Sequence, residues 1–480
     1  MDLDLIARVL GSMGVTLGLY SRFTNPFMRW SRVGWRMEID RSGKQWEIIS
    51  WPRVDVRKNW YWRSVALFKA AWHILAGVIK VPRPRKVRLS HDEIIARIHQ
   101  LRFGEKTPFL ISGDHFSVLY VRSLGIFYAS LLDSRTALSQ DDWDWRQLVY
   151  LKTTILVLEA ASKCEDMFTT LVPVGGSGVA PLQIYAYPSD SLYSIFYALD
   201  NMKRKDGGIG KYELKTRDAS NGLVEKYKSS LRRHWERYYE KVVDKETGGV
   251  RDNLYLSGTK DMAKRRSAFY DAVMVWATGS LAESLGVGNE GSGFWDEYKE
   301  RLIENYWDDN NNWWREELEE ASRYSSDWLI GVQTGMLSIG NSRDKAILEK
   351  AVKKMEEMNL DKPVPLAYHH DLRLEQLHWP VRWGAKWYGS RAIWSHWGIE
   401  YIKLELGLYE STRNKDYLEK AEGYLDKYRK IMEENQGYPE VLRPNGKIYK
   451  TGFYRSIINN GWVVNYQQAR VMHEDLRVGN

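Results

Sequence analysis

From residue 91 to the end of the chain, apolar residues recur at the three-to-four spacing of helices, in segments joined by irregular, aromatic-rich connections. Twelve such segments are predicted, at 91–103, 115–132, 143–163, 189–204, 219–240, 263–285, 292–306, 325–339, 343–358, 391–409, 413–435 and 459–473. Few stretches alternate apolar and polar residues in the manner of strands, so this part of the chain is restricted to a mainly α fold of paired helices. Short strands are expected only at connections such as 438–442 and 447–449.

The first 90 residues read differently. Residues 37–54 alternate around Arg41-Ser42-Gly43-Lys44, the pattern of a β-hairpin, and the basic, Pro-containing segment 81–90 reads as a linker. Two regions are therefore expected, a mixed N-terminal one over 1–90 and a helical body over 91–480. Charge follows the same division. The chain carries a formal +8, yet residues 1–90 hold 17 Lys/Arg against 6 Asp/Glu, a balance of +11, which leaves −3 for the body. A basic surface for nucleic acid is thus not a property of the body, and no nucleic-acid partner is expected. Met1–Arg22 reads as a helix; Asp2 and Asp4 stand where a signal peptide would be positive. The most apolar stretch, 65–81, contains Lys69 and His73 and is short for a membrane span; its basic flanks leave contact with a membrane surface as the minor alternative to a buried helix. One cysteine, Cys164, allows no intramolecular disulfide and suits a cytoplasmic setting.

Motifs for several chemistries are missing from the sequence: it has no GxxxxGK[ST], HExxH or GxSxG and no Cys/His cluster. No cofactor is expected. His369 and His370 are adjacent and point apart, so no metal site is expected from them. What remains is a set of carboxylates at loop-to-helix junctions beside aromatic residues, the raw material of acid/base catalysis. The segment 359–390 is too long for a passive connection, and five of the 22 Trp fall between Trp379 and Trp397. Most of the Trp read as core, and Trp383, Trp387 and Trp394 are candidates to contact a ligand, since an indole face suits sugar rings as well as bases or packing, with His370 and His396 as polar partners. The run Trp313-Trp314-Arg315-Glu316-Glu317 reads as the start of a helix or turn, with a superficial resemblance to the Trp-Glu catalytic elements of glucoamylases as the minor alternative.

Several stretches resemble parts of the (α/α)6-toroid glycoside hydrolases. Residues 251–286 (RDNLYLSGTKDMAKRRSAFYDAVMVWATGSLAESLG) are similar to the middle of trehalase, processing α-glucosidase I and mannosylglycerate hydrolase, whose Ser-Gly-x-Asp element carries the general acid. Here the element is Ser257-Gly258-Thr259-Lys260-Asp261, one residue longer. Residues 437–469 resemble the Pro-Glu segment and last helix of the glucosidase domain of debranching enzymes, which makes Glu440 the general base. Residues 389–398 (GSRAIWSHWG) are similar to the substrate-lining segment of the same group and of neutral invertases, and by the latter likeness Glu375 is a reserve base. Residues 112–132 resemble the first toroid helix, whose leading acid, here Asp114, touches sugar hydroxyls.

The resemblance implies an (α/α)6 toroid following the small mixed region, and an inverting hydrolase of an α-glucoside or small α-linked saccharide. Asp261 would protonate the leaving oxygen while Glu440 activates water. For Asp261 and Asp114 the plain alternative is a helix N-cap, and for Glu440 a turn residue. Other toroid chemistries, namely phosphorolysis, epimerisation and elimination, share the fold, and epimerisation would need histidines such as His369, His370 or His396. A carbohydrate-binding protein lacking the acid or base is the remaining alternative. The expected partner is a carbohydrate; the oligomeric state is not readable.

Overall fold

The computed structural model describes residues 37–39, 46–48, 53–54, 88–104, 109–110, 119–175, 178–182, 188–204, 208–209, 214–244, 250–251, 265–288, 293–319, 323–371, 374–377, 382, 387–451 and 456–478. Asp114, Asp261 and Trp383 lie outside them, as do the helix expected at the N-terminus and the apolar stretch 65–81.

The hairpin expected near the start is present: β1 (Met37–Ile39) and β2 (Trp46–Ile48) pair antiparallel, with Met37 opposite Ile48 and Ile39 opposite Trp46. A third short strand, β3 (Arg53–Val54), pairs parallel with a strand of the helical body and so ties the basic region to it.

The body alternates two kinds of helix. One kind is apolar on a single stripe. In α1 (His91–Phe103), Ile94, Ile95 and Ile98 are buried between exposed residues, and Ser90 with Glu93 forms a capping box that starts the helix. The helices α4 (Thr216–Val242), α6 (Phe294–Tyr306), α8 (Ser342–Glu357) and α10 (Lys415–Asn435) are of this kind, whereas the outer helix α2 (Gln140–Ser162) is covered continuously from Arg146 to Leu158; α3 (Ser191–Arg204) and α5 (Phe269–Ser284) lie among them in chain order. The other kind is buried nearly all round. In α5 almost every residue from Phe269 to Ala282 is covered, and the same holds for α9 (Ser395–Thr412). Such helices can sit only where neighbours surround them.

Six inner elements close a ring. The first element consists of the 3-10 turns Val121–Ser123 and Ala129–Leu132; Val121–Ser123 packs on α3, α3 on α5, and α5 on the 3-10 turn Ser326–Leu329 with its continuation α7 (Ile330–Gln333). That element meets α9, α9 meets α11 (Val463–Val478), and α11 returns to Ala129–Leu132. The outer helices pair with the inner ones, α4 with α3, α6 with α5 and α10 with α9. The fold is therefore mainly α, an (α/α)6 toroid, with small sheets in its connections.

Two predicted helices are shorter than their periodicity suggests. Residues 115–132 fold, within the described part, as a strand β4 (Leu119–Tyr120) and two 3-10 turns. Gly125 lies between the two turns and lets this element approach α3 closely, since a side chain there would stand 2.7 Å from the Ser194 backbone. The element expected at 325–339 stops at Gln333, and the chain turns at Gly335, whose φ is +80°.

Connection length differs between the two ends of the ring. Links from inner to outer helices are short, as at 205–215, 285–293 and 413–414, whereas links from outer to inner ones are long, as at 163–190, 243–268, 307–325, 358–394 and 436–462. The first long link carries β5 (Thr170–Gly175) and β6 (Gly178–Leu182), which form a sheet with β3 and β4. Among the short links, 205–215 carries the two-residue strands β7 (Gly208–Ile209) and β8 (Leu214–Lys215). Later long links carry the hairpin of β9 (Trp307–Asp308) and β10 (Trp313–Trp314), and the pair β11 (Ile393–Trp394) and β12 (Val441–Leu442). The long links deliver their residues to the N-terminal ends of inner helices.

Candidate active site

Three groups of buried side chains gather at those N-terminal ends. The first surrounds Arg265, just before α5, which is 2% exposed. Its Nη1 donates to Asp327 Oδ2 at 3.1 Å and lies 4.0 Å from Glu316. Asp327 also accepts from Tyr368 Oη at 3.3 Å and from Ser325 Oγ. Burial works against the Arg265 charge, and the neighbouring acids, led by Asp327 and Asp271, more than reverse that and hold its pKa above the usual arginine value. The backbone here is pinned: Phe269 N donates to Glu316 O at 2.9 Å, Arg266 N to Glu317 Oε1 at 3.2 Å, and Tyr306 Oη to Ser267 O at 2.7 Å. Glu316 and Glu317, read from the sequence as the start of a helix or turn, follow the strand β10 and are buried in this group. Burial and the nearby Glu316 raise the Glu317 pKa, while Arg323 at 2.7 Å opposes the shift. His369 Nδ1 donates to the Tyr324 carbonyl at 2.8 Å, which puts its proton on that nitrogen, and Glu316 Oε2 is 3.6 Å away.

The second group joins the starts of α3 and α5. Tyr270 Oη donates to Asp190 Oδ2 at 3.2 Å and Ser189 Oγ to Asp271 Oδ1 at 2.7 Å. Burial pushes the Asp190 carboxyl up to about 7; Arg122 pulls against that shift and Asp271 adds to it.

The third group lies where α9, α11 and the first inner element meet. His396, in the first turn of α9 and 1% exposed, sits among Phe127, Trp397 and Trp462, at ring-centre distances of 4.9, 4.7 and 5.6 Å. Gln333 Nε2 donates to Ile126 O at 2.5 Å, which turns Gln333 Oε1 toward His396 Nε2 at 3.3 Å. The imidazole proton therefore sits on Nε2, and Nδ1 has no partner among the described residues. Burial, with Lys403 adding to it, holds the His396 pKa well below the ordinary histidine value, so the ring is neutral.

Glu440 is 5% exposed and borders this group. Its carbonyl accepts from Ser395 N and Ser395 Oγ, each at 3.0 Å, and its N–H donates to Ile457 O at 2.9 Å. The β11–β12 pair sets Trp394 opposite Val441, beside it. Trp394 is buried, donates from Nε1 to Tyr388 O at 3.0 Å and stacks on Trp462 at 6.4 Å. The Glu440 backbone thus lies beside Ser395, between Trp394 and His396 in the chain. Trp387 is half-buried in a tight turn, its carbonyl accepting from Ala392 N at 2.9 Å. His370 is partly exposed and lies 3.7 Å from Asp371, with its ring 6.2 Å from Trp313. Glu375 is exposed, and its carbonyl accepts from Arg382 Nη2 at 2.6 Å. The Arg265–Asp327–Tyr368 and Asp190–Asp271 groups escaped sequence reasoning because their members come from segments far apart in the chain. Among the described residues no group of three or more His, Cys, Asp or Glu is arranged to hold a metal ion, and no helix is long and apolar enough to cross a membrane.

No family model and no curated protein sequence matches the chain. Solved structures do match it. A sugar epimerase from a ruminal bacterium aligns over 81% of this chain and 96% of its own, at 12% identity and a TM-score of 0.51. The cellobiose 2-epimerase of Bacillus thermoamylovorans aligns over 81% and 98% at 13% identity and a TM-score of 0.48. The family 15 glucoamylase of Hypocrea jecorina aligns over 81% and 73% at 10% identity and a TM-score of 0.48. The likeness to the first of these is one of fold, and it agrees with the six-membered inner ring.

Proposed function

We propose that this protein is a carbohydrate-active enzyme whose site is the ring end fed by the long connections, and that it hydrolyses an α-linked glucoside or small α-linked saccharide with inversion. The observation that carries the reading is Glu440: a buried carboxylate-bearing residue fixed through its backbone to Ser395, beside Trp394 and His396. A general base needs that fixed placement in a site from which bulk water is excluded. Glu440 takes a proton from water as the water attacks the anomeric carbon, and a second carboxyl protonates the departing oxygen. Inversion requires about 6.5–9.5 Å between the two carboxyl groups. Asp261 is the partner that the resemblance offers. Asp190, at the start of α3 and with its proton held to about 7, is a described residue suited to donate one.

A specific observation favours a second reading. The neutral His396, with a bare Nδ1, is suited to remove and return a proton at the carbon next to a sugar carbonyl, the chemistry of an epimerase, and the fold likeness to a sugar epimerase points the same way. One experiment separates the readings. Trehalose, sucrose, maltose, isomaltose, glucosylglycerate and cellobiose are incubated with the protein in deuterated water and followed by proton NMR. Hydrolysis releases sugar of inverted anomeric configuration without carbon-bound deuterium. Epimerisation leaves the glycosidic bond intact and places deuterium at C2. In the hydrolytic case Glu440→Gln lowers kcat at least about 100-fold at unchanged melting temperature; full activity in that variant, or retained configuration, removes the mechanism.

A further inference from the structure

Arg265 contains an unmet demand. Its guanidinium is buried, Nη1 is engaged by Asp327, and neither Nε nor Nη2 has a hydrogen-bond partner among the described residues. Those two nitrogens form one edge of the planar group and present parallel N–H bonds, the fork that grips two oxygens at once. Each buried donor left unmet costs about 1–3 kcal/mol, so a fold that spends several bonds on fixing this side chain leaves the edge for something that arrives later.

Charge selects the guest. Asp327 at 3.1 Å and Glu316 at 4.0 Å already balance the cation, and Asp271 contributes to the same negative surroundings. A carboxylate or phosphate would enter a region whose positive charge is already spent. Neutral oxygens with lone pairs carry no such penalty, and two hydroxyls on adjacent carbons match the spacing of the fork. We propose that the Nε–Nη2 edge of Arg265 is a specificity subsite that accepts a vicinal diol of an uncharged sugar ring, with Asp327 locking the guanidinium from the opposite side. The proposal rests on the carbohydrate reading above and adds to it the substrate class: neutral, with two adjacent free hydroxyls.

The test measures binding, so it does not depend on turnover. Glucose, its 2-, 3-, 4- and 6-deoxy derivatives and glucuronate are titrated into the wild-type protein and into Arg265→Lys, with affinity read by ligand-observed NMR. Wild type should lose about 10- to 100-fold for each of two neighbouring deoxy positions and little for 6-deoxyglucose. Arg265→Lys should lose a similar factor for glucose and should no longer discriminate among those derivatives, which a merely structural role would not produce. Should the lysine variant fail to fold, the wild-type deoxy series still decides, because the absence of an adjacent pair of sensitive positions overturns the proposal. Tighter binding of glucuronate than of glucose, weakened by Arg265→Lys, overturns it as well, in favour of an anion site. If wild type binds glucose and Arg265→Lys binds it equally, only this inference falls. If wild type neither binds nor turns over any sugar, the carbohydrate reading falls with it.

Discussion

At the scale of single residues, the site is built from ionisable groups whose surroundings drive them apart. Arg265 is held charged by its acids and His396 is held neutral by burial, while Asp190 retains its proton to about 7. The last of these has a consequence for stability. An unfolded Asp loses its proton near 3.8 and the folded Asp190 near 7, so between those values the native state binds more protons than the unfolded one. Stability contributed by this residue is therefore full below about pH 4 and declines as pH rises toward 7. Asp190→Asn cannot ionise and keeps a group able to pair with Tyr270. Its melting temperature should match wild type near pH 4.5 and exceed it at pH 7.5; curves that run parallel across that range would show that Asp190 is not the titrating group.

Between elements, close approach governs the ring. At Gly279 a β-carbon would fall 1.9 Å from the Trp295 ring, so α5 and α6 touch through a glycine and an indole. Gly222, on the exposed side of α4, has nothing within 4 Å of the same position. The two glycines should respond oppositely to alanine. Gly279→Ala should destabilise by about 3 kcal/mol through overpacking, whereas Gly222→Ala should stabilise by about 0.5–1 kcal/mol because alanine is the better helix former. Urea denaturation of the two variants checks both signs. The same contrast explains how far the sequence could be read. Amphipathic outer helices such as α10 declare themselves, since Ala421, Tyr424, Leu425, Tyr428, Ile431 and Met432 form a single buried stripe. The close approach of Gly125 to Ser194 of α3 joins segments far apart in the chain, which local periodicity cannot reveal. Resemblance singled out Glu440, and the Trp-rich loop singled out Trp394 and His396; the fold sets the Glu440 backbone beside Ser395, between those two in the chain. The environment of Arg265 was hidden, since Asp327 reaches it from another inner element and Tyr368 from another connection, and a charged residue in a Lys/Arg-rich run reads as solvent-facing until its partners are placed.

For the molecule as a whole, the ring is closed by the joining of its two ends. The last helix, α11, is clasped by the earliest part of the body: Asn465 Nδ2 donates to Phe127 O at 3.1 Å, Ser130 Oγ to Gln468 Oε1 at 2.5 Å, and His91 Nε2 lies 3.0 Å from Tyr466 Oη. Each of these contacts spans most of the chain, and their loop-closure entropy is recovered only when every intervening pair is in place. The toroid should therefore unfold as one cooperative unit despite its length, unlike an open stack of helix pairs, which can lose its end repeats first. Tryptophan fluorescence and far-ultraviolet circular dichroism should then report coincident urea transitions. Removing residues 463–480 takes away one of six inner elements and exposes the apolar sides of α9 and of the first inner turn. That truncated chain should lose the shared transition and bind a hydrophobic dye, as expected of a collapsed but unpacked state. A truncated protein that keeps a sharp, coincident transition at wild-type midpoint would mean that the seam between α11 and Phe127 contributes nothing to cooperativity.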